Sequence, residues 1–273
     1  MRVWYNTYEF SLRGDENLNA LVVIPVTDVR AERKFRSERV HQLVFGEIVE
    51  VLEDINSPKD SDYILVRDAR LDYKGYVNRN TLYFLSDEEE KKFVNLEVLK
   101  VSAPFCKVQG FVNFILPFGS RLYTENYRDF LLPNGKTYTL VDEPVINFRS
   151  VVELAFELLG VPYVWGGTSS YGFDCSGFVN RLYDVAFNID LPRDAGDQED
   201  KLPSVATVEE REKLLPGDLM YMEGHVVMYI GDRKVIHANG HDMCVAVTDL
   251  DEEDYGKFLK SRIRKVCRVT STW

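Results

Sequence analysis

One cysteine lies in a sequence setting that could activate its thiol. Cys175 stands in the segment 173–178, FDCSGF, where a glycine- and serine-rich loop leads into a predicted amphipathic helix over 175–188. Backbone N–H groups at a helix N-terminus stabilise a thiolate, which is the nucleophilic form of cysteine. The small neighbours Ser176 and Gly177 would let a substrate carbonyl approach, and the N–H of Cys175 could hold the resulting oxyanion. We therefore predict that Cys175 is a nucleophile.

A thiol nucleophile needs a base, and the chain has four histidines. His225 opens a predicted strand directly after Gly224, and His237 lies near the end of the next predicted strand. Antiparallel pairing of these strands would place the two rings side by side. One ring would then take the thiol proton while the other orients it, so we predict His225 as base and His237 as the orienting residue. His41 and His241 are predicted to be surface residues.

The elements that must position these side chains differ between the two parts of the chain. Before about residue 145, short apolar runs alternate with turn residues, which is typical of small β-barrels. The charge run at 87–92 separates two such modules, 1–86 and 87–144. After about residue 145, predicted helices are followed by antiparallel strands, which indicates an α+β domain over 145–273.

Within the predicted α+β domain, one helix is expected over 150–160, because Ser150 can cap its start and Gly160 can end it. The second is the helix that begins at Cys175. A tight turn is predicted at Gly231-Asp232. Four strands are predicted, over 219–222, 225–230, 234–238 and 245–247.

Composition and charge exclude several classes of partner and cofactor. The net charge of −11 argues against nucleic-acid binding, because the chain offers little to neutralise phosphates. Its apolar runs are too short to span a bilayer, and its start does not read as a secretory signal. We therefore expect a cytoplasmic protein; export with the leader already removed is the alternative. Cys106, Cys244 and Cys267 are predicted core residues, and their spacing fits neither a zinc site nor a disulfide framework.

Three motifs carry a resemblance to a known family. The segments 174–178 (DCSGF), 224–226 (GHV) and 236–238 (IHA) resemble the signatures of the NlpC/P60 cysteine peptidases. The resemblance covers about 145–273. It implies a papain-like α+β fold in which Cys175 is the nucleophile, His225 the base and His237 the third residue, with no cofactor.

A narrower resemblance implies a substrate. The segments 162–170 (PYVWGGTSS) and 192–195 (PRDA) are similar to the YkfC-type branch, the γ-D-glutamyl-L-diamino acid endopeptidases. Members of that branch carry SH3-like domains ahead of the peptidase, which matches the two predicted β modules. The branch cleaves muropeptides after the D-glutamyl residue and requires a free amino group on the N-terminal L-Ala.

The same resemblance gives Asp174 a role in binding the substrate. A carboxylate beside the nucleophile should oppose thiolate formation, so an ammonium partner would justify its presence. By resemblance, Asp174 binds the terminal amine and Ser176 lines the same pocket.

Further residues are implied to surround the substrate. Tyr163 and Trp165 would wall the cleft, and the Tyr163 hydroxyl could join the oxyanion hole. Arg193 and Gln198 resemble residues at the edge of the cleft. Glu32, in the first β module, resembles a glutamate that closes the pocket.

The sequence leaves several functions open. The leading one is a peptidase that trims wall peptides during recycling. A secreted D,L-endopeptidase that acts on intact peptidoglycan is the second, and a non-catalytic wall-binding module is the third. Amidase or acyl-transfer chemistry on the same scaffold also stays open, because a fold alone does not fix the acyl acceptor.

Overall fold

The computed structural model describes residues 18–55, 62–133 and 135–270. The chain divides into two compact units, Met1–Ile146 and Asn147–Trp273. Within the described ranges, no helix combines the length and the apolar character needed to cross a bilayer.

The first unit begins with an antiparallel sheet whose described strands run in the order β3-β2-β6-β5-β4-β1-β7. Its apolar side chains, among them Val29, Val49, Ile64 and Val77, form a buried cluster. The strands are β1 (Leu18–Val22), β2 (Val26–Arg30), β3 (Arg39–Val44), β4 (Ile48–Val51), β5 (Tyr63–Asp68), β6 (Tyr73–Asn78) and β7 (Leu82–Phe84), with a 3-10 turn at Arg79–Thr81 before β7.

A short helix, α1 (Asp87–Val94), connects this sheet to a second one. Its start is fixed by a capping box, in which Ser86 accepts from the N–H of Glu89 and the Glu89 carboxylate accepts from the N–H of Ser86. The second sheet is also antiparallel, in the order β10-β9-β13-β12-β11-β8. Its strands are β8 (Glu97–Lys100), β9 (Phe105–Gln109), β10 (Phe114–Pro117), β11 (Arg121–Thr124), β12 (Asp129–Leu131) and β13 (Thr137–Leu140).

The two sheets of the first unit share a hydrophobic core. One buried cluster contains Leu21 and Phe45 from the first sheet region together with Cys106, Leu116 and Tyr138 from the second. Because apolar burial is the main favourable term in folding, this common core makes the two sheets one compact unit.

His41 departs from its prediction as a surface residue. It is only 1% exposed, and its Nε2 lies 3.6 Å from the Asp68 carboxylate. That carboxylate also pairs with Arg70, which in turn contacts the buried Glu47. The prediction is wrong because the C-terminal part of β3 is buried on both faces, so the alternation of polar and apolar residues does not report exposure there.

In its described residues, the second unit contains four α-helices and a six-stranded antiparallel sheet in the order β16-β21-β17-β18-β19-β20. A small two-stranded ladder, β14 and β15, precedes the central helix α3. The elements are α2 (Val151–Phe156), β14 (Thr168–Ser169), β15 (Gly172–Phe173), α3 (Cys175–Phe187), α4 (Ala195–Lys201), β16 (Ser204–Ala206), a 3-10 turn (Arg211–Lys213), β17 (Leu219–Met222), β18 (His225–Gly231), β19 (Lys234–Asn239), β20 (Cys244–Asp249), α5 (Asp254–Lys260) and β21 (Lys265–Cys267).

Helix α3 forms the centre of this unit. Its first ten residues are all buried, and it packs against β18 and β19. Asp174 caps its start and Asn188, in the left-handed conformation, ends it. The Tyr183 hydroxyl donates to the carbonyl of Gly217 at 2.6 Å, which ties the helix to the loop before β17. The position of Cys175 is therefore fixed by buried packing.

Most predicted elements of this unit are confirmed. The four predicted strands correspond to β17–β20, and the predicted helix start at Cys175 is correct. The turn after Gly231 is present, with Asp232 and Arg233 at positive φ. The helix predicted over 150–160 ends early, at Phe156. Beyond it the chain forms tighter turns, in which Leu158 donates to Ala155, and the N–H of Gly160 donates to Val245.

Candidate active site

The Cys175 thiol lies at the first residue of α3 and is 7% exposed. Its Sγ lies 3.9 Å from the carbonyl oxygen of Gly224 and within reach of the backbone N–H of Val226. These two residues flank His225, so the fold brings the thiol to the start of β18. The N–H of Cys175 belongs to the first helical turn, whose N–H groups have no acceptor within the helix.

Asp174 is the N-cap of α3, and its carboxylate accepts from several donors. Its Oδ1 accepts from the N–H of Gly177 at 2.7 Å, and its Oδ2 accepts from the N–H of Gly166 at 3.0 Å. The Ser176 hydroxyl lies 3.3 Å from Oδ1. Arg193 contacts both oxygens, at 3.2 Å and 2.5 Å. The charge of Asp174 is therefore balanced within the protein.

This geometry gives Asp174 a partner that the sequence did not predict, and it places Arg193 and Gln198 differently from their predicted positions. The sequence predicts a substrate ammonium as the counter-charge of Asp174, and the buried guanidinium of Arg193 already provides one counter-charge within the protein. Arg193 and Gln198 were expected at the edge of the cleft, but both are buried. Gln198 donates to the carbonyl of Pro192 at 2.7 Å and lies 3.3 Å from that of Ser176. The reason is that a buried carboxylate must be paired, so these side chains support the start of α3.

The small residue at 177 also has a structural cause. A Cβ at this position would overlap the carbonyl oxygen of Gly167 and would lie 2.9 Å from Asp174 Oδ1. Gly177 therefore allows the loop 166–167 to pack against the helix start. The sequence predicts that this glycine gives a substrate access to the backbone, and the close approach of Gly167 is a second reason for a residue without a side chain.

The two predicted catalytic histidines are neighbours. His225 Nε2 lies 2.8 Å from His237 Nδ1, as predicted from the antiparallel pairing of β18 and β19. His237 Nε2 in turn lies 3.1 Å from the hydroxyl of Thr248 and 3.3 Å from the amide nitrogen of Asn239. Because Nε2 of His225 faces His237, Nδ1 is the ring nitrogen left for the thiol.

Burial keeps the thiol and both rings neutral near pH 7. It raises the pKa of Cys175 to about 11, with a further increase from Asp174, while the backbone of Val226 and Ser176 and the charge of Arg193 oppose it. Burial lowers the pKa of His225 to about 4, opposed by the Asp174 charge. Burial also lowers the pKa of His237 to about 3, with smaller contributions from His225 and His241. The resting pair is thus a thiol and an uncharged imidazole.

Two tyrosines lie near the thiol. Burial raises the pKa of Tyr163 to about 12, and the charges of Cys175 and Asp174 add to the increase. Tyr255, on α5, has its pKa raised by burial and then by Asp242 and Cys175. Tyr255 also stacks on His241, with ring centroids 4.1 Å apart. Both hydroxyls therefore stay protonated near pH 7.

Sequence reasoning missed Thr248, Asn239 and Tyr255. Asn239 could have been found, because residues two apart on a strand share a face and His237 precedes it by two. Nothing in the acidic segment 251–254 pointed to Tyr255.

Two predicted substrate residues lie on exposed loops or turns. Trp165 is 62% exposed, in the loop before β14. Glu32 lies between β2 and β3, where its side chain is 66% exposed and pairs with Lys34 at 2.5 Å. His241 is exposed, as predicted, and all four cysteines are free. Cys106 and Cys267 are buried as predicted, whereas Cys244 is half-buried.

Comparison with known proteins identifies the second unit. The family model described as NlpC/P60 family matches residues 160–264, which contain Cys175, His225 and His237. This segment is an NlpC/P60 domain. The predicted family is confirmed, and with it a cysteine peptidase domain of mixed helix and sheet.

Relatives extend beyond this domain. The chain is 27% identical to "Dipeptidyl-peptidase 6" of Lysinibacillus sphaericus over 265 residues, which is 86% of this chain and 93% of that protein. It is 30% identical to "Gamma-D-glutamyl-L-lysine dipeptidyl-peptidase" of Bacillus subtilis (strain 168) over 184 residues, or 64% of this chain. That match spans 57% of the Bacillus subtilis protein, so the chain covers little more than half of this relative.

A solved structure shares the fold of the chain. The crystal structure of an NlpC/P60 family protein from Bacillus cereus ATCC 10987 aligns with a TM-score of 0.76 and 21% identity. The alignment covers 92% of this chain and 99% of the other. The strand-rich first unit is thus part of the shared fold as well as the NlpC/P60 domain.

Proposed function

We propose that this protein is a cysteine endopeptidase that hydrolyses the γ-D-glutamyl–diamino acid bond of muropeptides with a free N-terminal L-Ala. The observation that carries the proposal is the position of the buried Cys175 thiol, 3.9 Å from the carbonyl oxygen of Gly224 and thus beside His225, whose ring pairs with His237 in an NlpC/P60 domain. The name of the Bacillus subtilis relative, gamma-D-glutamyl-L-lysine dipeptidyl-peptidase, supports this bond as the target.

The proposed reaction uses the thiol and His225 in turn. The Cys175 sulfur attacks the γ-carbonyl carbon of D-Glu while its proton passes to Nδ1 of His225. The backbone N–H of Cys175 holds the oxyanion, and the Tyr163 hydroxyl is a second donor. His225 then gives its proton to the departing amine of the diamino acid, and a thioester remains.

Water completes the cycle. His225 removes a proton from a water molecule, whose oxygen attacks the thioester carbon. The C–S bond breaks, the L-Ala-γ-D-Glu dipeptide leaves, and the proton of His225 returns to the thiolate. The diamino acid peptide and the dipeptide are the two products of one hydrolysis.

In this proposal, Asp174 binds the L-Ala ammonium while it also holds Arg193. The Ser176 hydroxyl, 3.1 Å from Nη1 of Arg193, lines the same polar group. The guanidinium of Arg193 repels a second cation, which offsets part of the attraction between the ammonium and the Asp174 carboxylate. We therefore expect a preference for the free amine that is smaller than an isolated carboxylate would give.

Further parts of the proposal concern residues outside the thiol site. Trp165 and Glu32 are proposed to bind substrate, and we propose that the two sheets of the first unit are SH3-like modules, with boundaries at 1–86 and 87–144. Loss of affinity in Glu32→Gln, with an unchanged rate of Cys175 alkylation, would support the role of Glu32.

The experiment that tests the proposal is mass spectrometry of the products from L-Ala-γ-D-Glu-meso-diaminopimelate and its L-Lys counterpart. An N-acetylated twin of each peptide and the Cys175→Ala protein run in parallel. We expect release of L-Ala-γ-D-Glu from the free-amine peptides by the native protein only. If the native protein has a reactive Cys175 but leaves both free-amine peptides uncleaved, this substrate class is rejected.

A wall endopeptidase is the second candidate. It is favoured by the 33% identity over 117 residues to "Murein DD-endopeptidase MepS/Murein LD-carboxypeptidase" of Escherichia coli (strain K12), a match over 57% of that protein. Equal cleavage of free and N-acetylated peptides, together with digestion of insoluble sacculi, would favour this function. Binding of Cys175→Ala to sacculi without any cleavage by the native protein would indicate a wall-binding module.

A cytoplasmic recycling role is also part of the proposal. In intact wall the L-Ala amine is acylated, so a free-amine requirement would restrict the enzyme to released peptides. Cell fractionation followed by immunodetection tests the compartment, and recovery in the exported fraction would contradict it.

A further inference from the structure

The proton positions in the His225–His237 pair decide whether His225 can act as a base. Nε2 of His225 faces His237 Nδ1 at 2.8 Å, so Nδ1 must receive the thiol proton. In a neutral ring only one nitrogen carries hydrogen. His225 is therefore active only when its hydrogen is on Nε2 and donates to His237 Nδ1.

The proton position required in His225 also fixes the tautomer of His237. If His237 Nδ1 accepts a hydrogen bond, the hydrogen of the neutral His237 ring must lie on Nε2. That N–H needs an acceptor, and the Thr248 hydroxyl oxygen is 3.1 Å away. Thr248 is buried in β20, two residues from Ala246, which pairs with His237, so both side chains share one face of the sheet.

Asn239 favours the opposite arrangement. Its Oδ1 accepts from the backbone N–H groups of His241 at 2.9 Å and Asp242 at 2.7 Å, which fixes the orientation of the amide. The amide nitrogen, which can only donate, therefore faces His237 Nε2 at 3.3 Å. It also donates to the Asp242 carboxylate at 3.1 Å. A hydrogen on His237 Nε2 would meet this donor, whereas a lone pair there would accept from it.

The two partners of His237 Nε2 thus select opposite tautomers. When Nε2 accepts from Asn239, His237 Nδ1 carries the hydrogen and donates to His225 Nε2. The hydrogen of His225 then lies on Nδ1, where it blocks transfer from the thiol. When Nε2 donates to Thr248, every hydrogen lies where the reaction needs it, before and after His225 is protonated.

We propose that Thr248 is a positioning residue that holds His237, and through it His225, in the active tautomer against competition from Asn239. The shorter contact is the one to Thr248. Both rings are neutral around pH 7 because they are buried, so tautomers rather than charges set the proton positions. The inference rests on the roles proposed for Cys175 and His225, but not on the identity of the peptide.

The test compares Thr248→Val with Thr248→Ser in the full chain. Valine matches threonine in shape and removes the acceptor, and serine keeps the hydroxyl. In Thr248→Val we expect the rate of Cys175 alkylation by iodoacetamide at pH 7, and kcat for peptide, to fall at least about tenfold with KM unchanged, because a wrong tautomer disables a triad base. Thr248→Ser should stay within about threefold of the native protein.

Nitrogen NMR of the 15N-histidine-labelled chain gives a readout that packing alone would not change. We expect the hydrogen of His237 to move from Nε2 to Nδ1 in Thr248→Val. Asn239→Ala in the same background removes the competing donor, so the hydrogen of His237 should no longer be held on Nδ1 and alkylation should recover in part. Thr27→Val, at another buried threonine that contacts Thr81, is the matched control and should behave as the native protein.

Two results would overturn the inference. The first is an unchanged tautomer of His237 in Thr248→Val, whatever the rate. The second is a variant with changes at both Thr248 and Asn239 in which the hydrogen of His237 stays on Nδ1. Failure of the native protein to cleave any muropeptide, with alkylation and tautomers responding as expected, would remove the proposed substrate and leave the role of Thr248 standing.

Discussion

At the scale of single residues, the site differs from a preformed thiolate–imidazolium pair. Burial raises the pKa of the Cys175 thiol to about 11 and lowers that of His225 to about 4. Between these values both groups are neutral, so the thiolate forms only as its proton moves to His225. In the proposed arrangement, the hydrogen bonds from His225 to His237 and from His237 to Thr248 keep Nδ1 of His225 free to accept the thiol proton.

This order of pKa values predicts a plateau in the reactivity of Cys175. Below about pH 4 protonation of His225 removes the base, so the alkylation rate should fall as the pH is lowered through that value. Between the two pKa values the fraction with the proton on His225 does not depend on pH. Above about pH 10 the rate should rise again as the free thiolate forms.

Peptide-resolved mass spectrometry after timed iodoacetamide labelling, from pH 3.5 to 10.5 in steps, measures this profile. His225→Ala should lose the plateau and retain only the alkaline rise. A native profile that rises steadily through pH 8 to 9, as for an ordinary thiol, would contradict the neutral-pair description.

At the scale of elements, the start of α3 combines a cap, an ion pair and a close backbone contact. Asp174 caps the helix and pairs with the buried Arg193, while Gly177 lets the 166–167 loop approach. Each of these features holds the nucleophile, although none of them takes part in proton transfer. Substitutions there should act on stability first and on activity through the position of Cys175.

The Asp174–Arg193 pair predicts strong coupling in a double-mutant cycle. Arg193→Met leaves a buried carboxylate without its counter-ion, so we expect a loss of about 3–5 kcal/mol in the free energy of unfolding. Asp174→Asn keeps an amide oxygen for the cap, and in the Arg193→Met background it should recover much of that loss.

Urea denaturation of the two single variants and the double variant measures the coupling. Additive losses of free energy would show that the two side chains do not stabilise each other. Circular dichroism at zero urea confirms that each variant is folded before its transition is compared.

Gly177 predicts a contrast with another helical glycine. Gly177→Ala would force a Cβ against the Gly167 carbonyl, so we expect it to destabilise the NlpC/P60 domain by more than about 2 kcal/mol and to slow alkylation of Cys175. Gly196→Ala, in α4, places its Cβ in open space and should stabilise by up to about 1 kcal/mol through helix propensity.

The melting temperatures of the two variants and of the native protein, measured by thermal unfolding, test this contrast. Equal melting temperatures for the two variants would refute the packing argument. Because both changes add one methyl group to a helix, the difference between them isolates the contact with the loop.

At the scale of the whole molecule, the chain consists of two compact units. The thiol, both histidines, Thr248 and the Asp174–Arg193 pair all lie in Asn147–Trp273. The first unit contains two sheets joined by one shared hydrophobic cluster, so its two sheets depend on each other for burial.

Separate expression of 147–273 tests this division. We expect a folded protein with cooperative unfolding, in which Cys175 keeps its alkylation plateau because every contact described for the thiol is internal to the unit. An unfolded fragment would show that the first unit is needed for stability.

Much of the site was determined by the sequence itself. The glycine and serine residues around Cys175 predicted a helix start, and the period-2 runs before and after Gly231 predicted paired strands that place His225 beside His237. These are local signals, because a cap, a turn or an alternating strand depends on residues close in the chain. The strands, the start of α3 and the contact between the two rings followed from them.

Only the tertiary structure decided the surroundings of these residues. The pairing of Asp174 with Arg193, the burial of His41 beside Asp68, the approach of Gly177 to Gly167 and the choice between Thr248 and Asn239 all join distant segments or depend on atom positions. Sequence periodicity reports which face of an element is apolar, but it carries no information about which polar group on another element completes a buried hydrogen bond. That completion sets the proton positions on which the proposed chemistry depends.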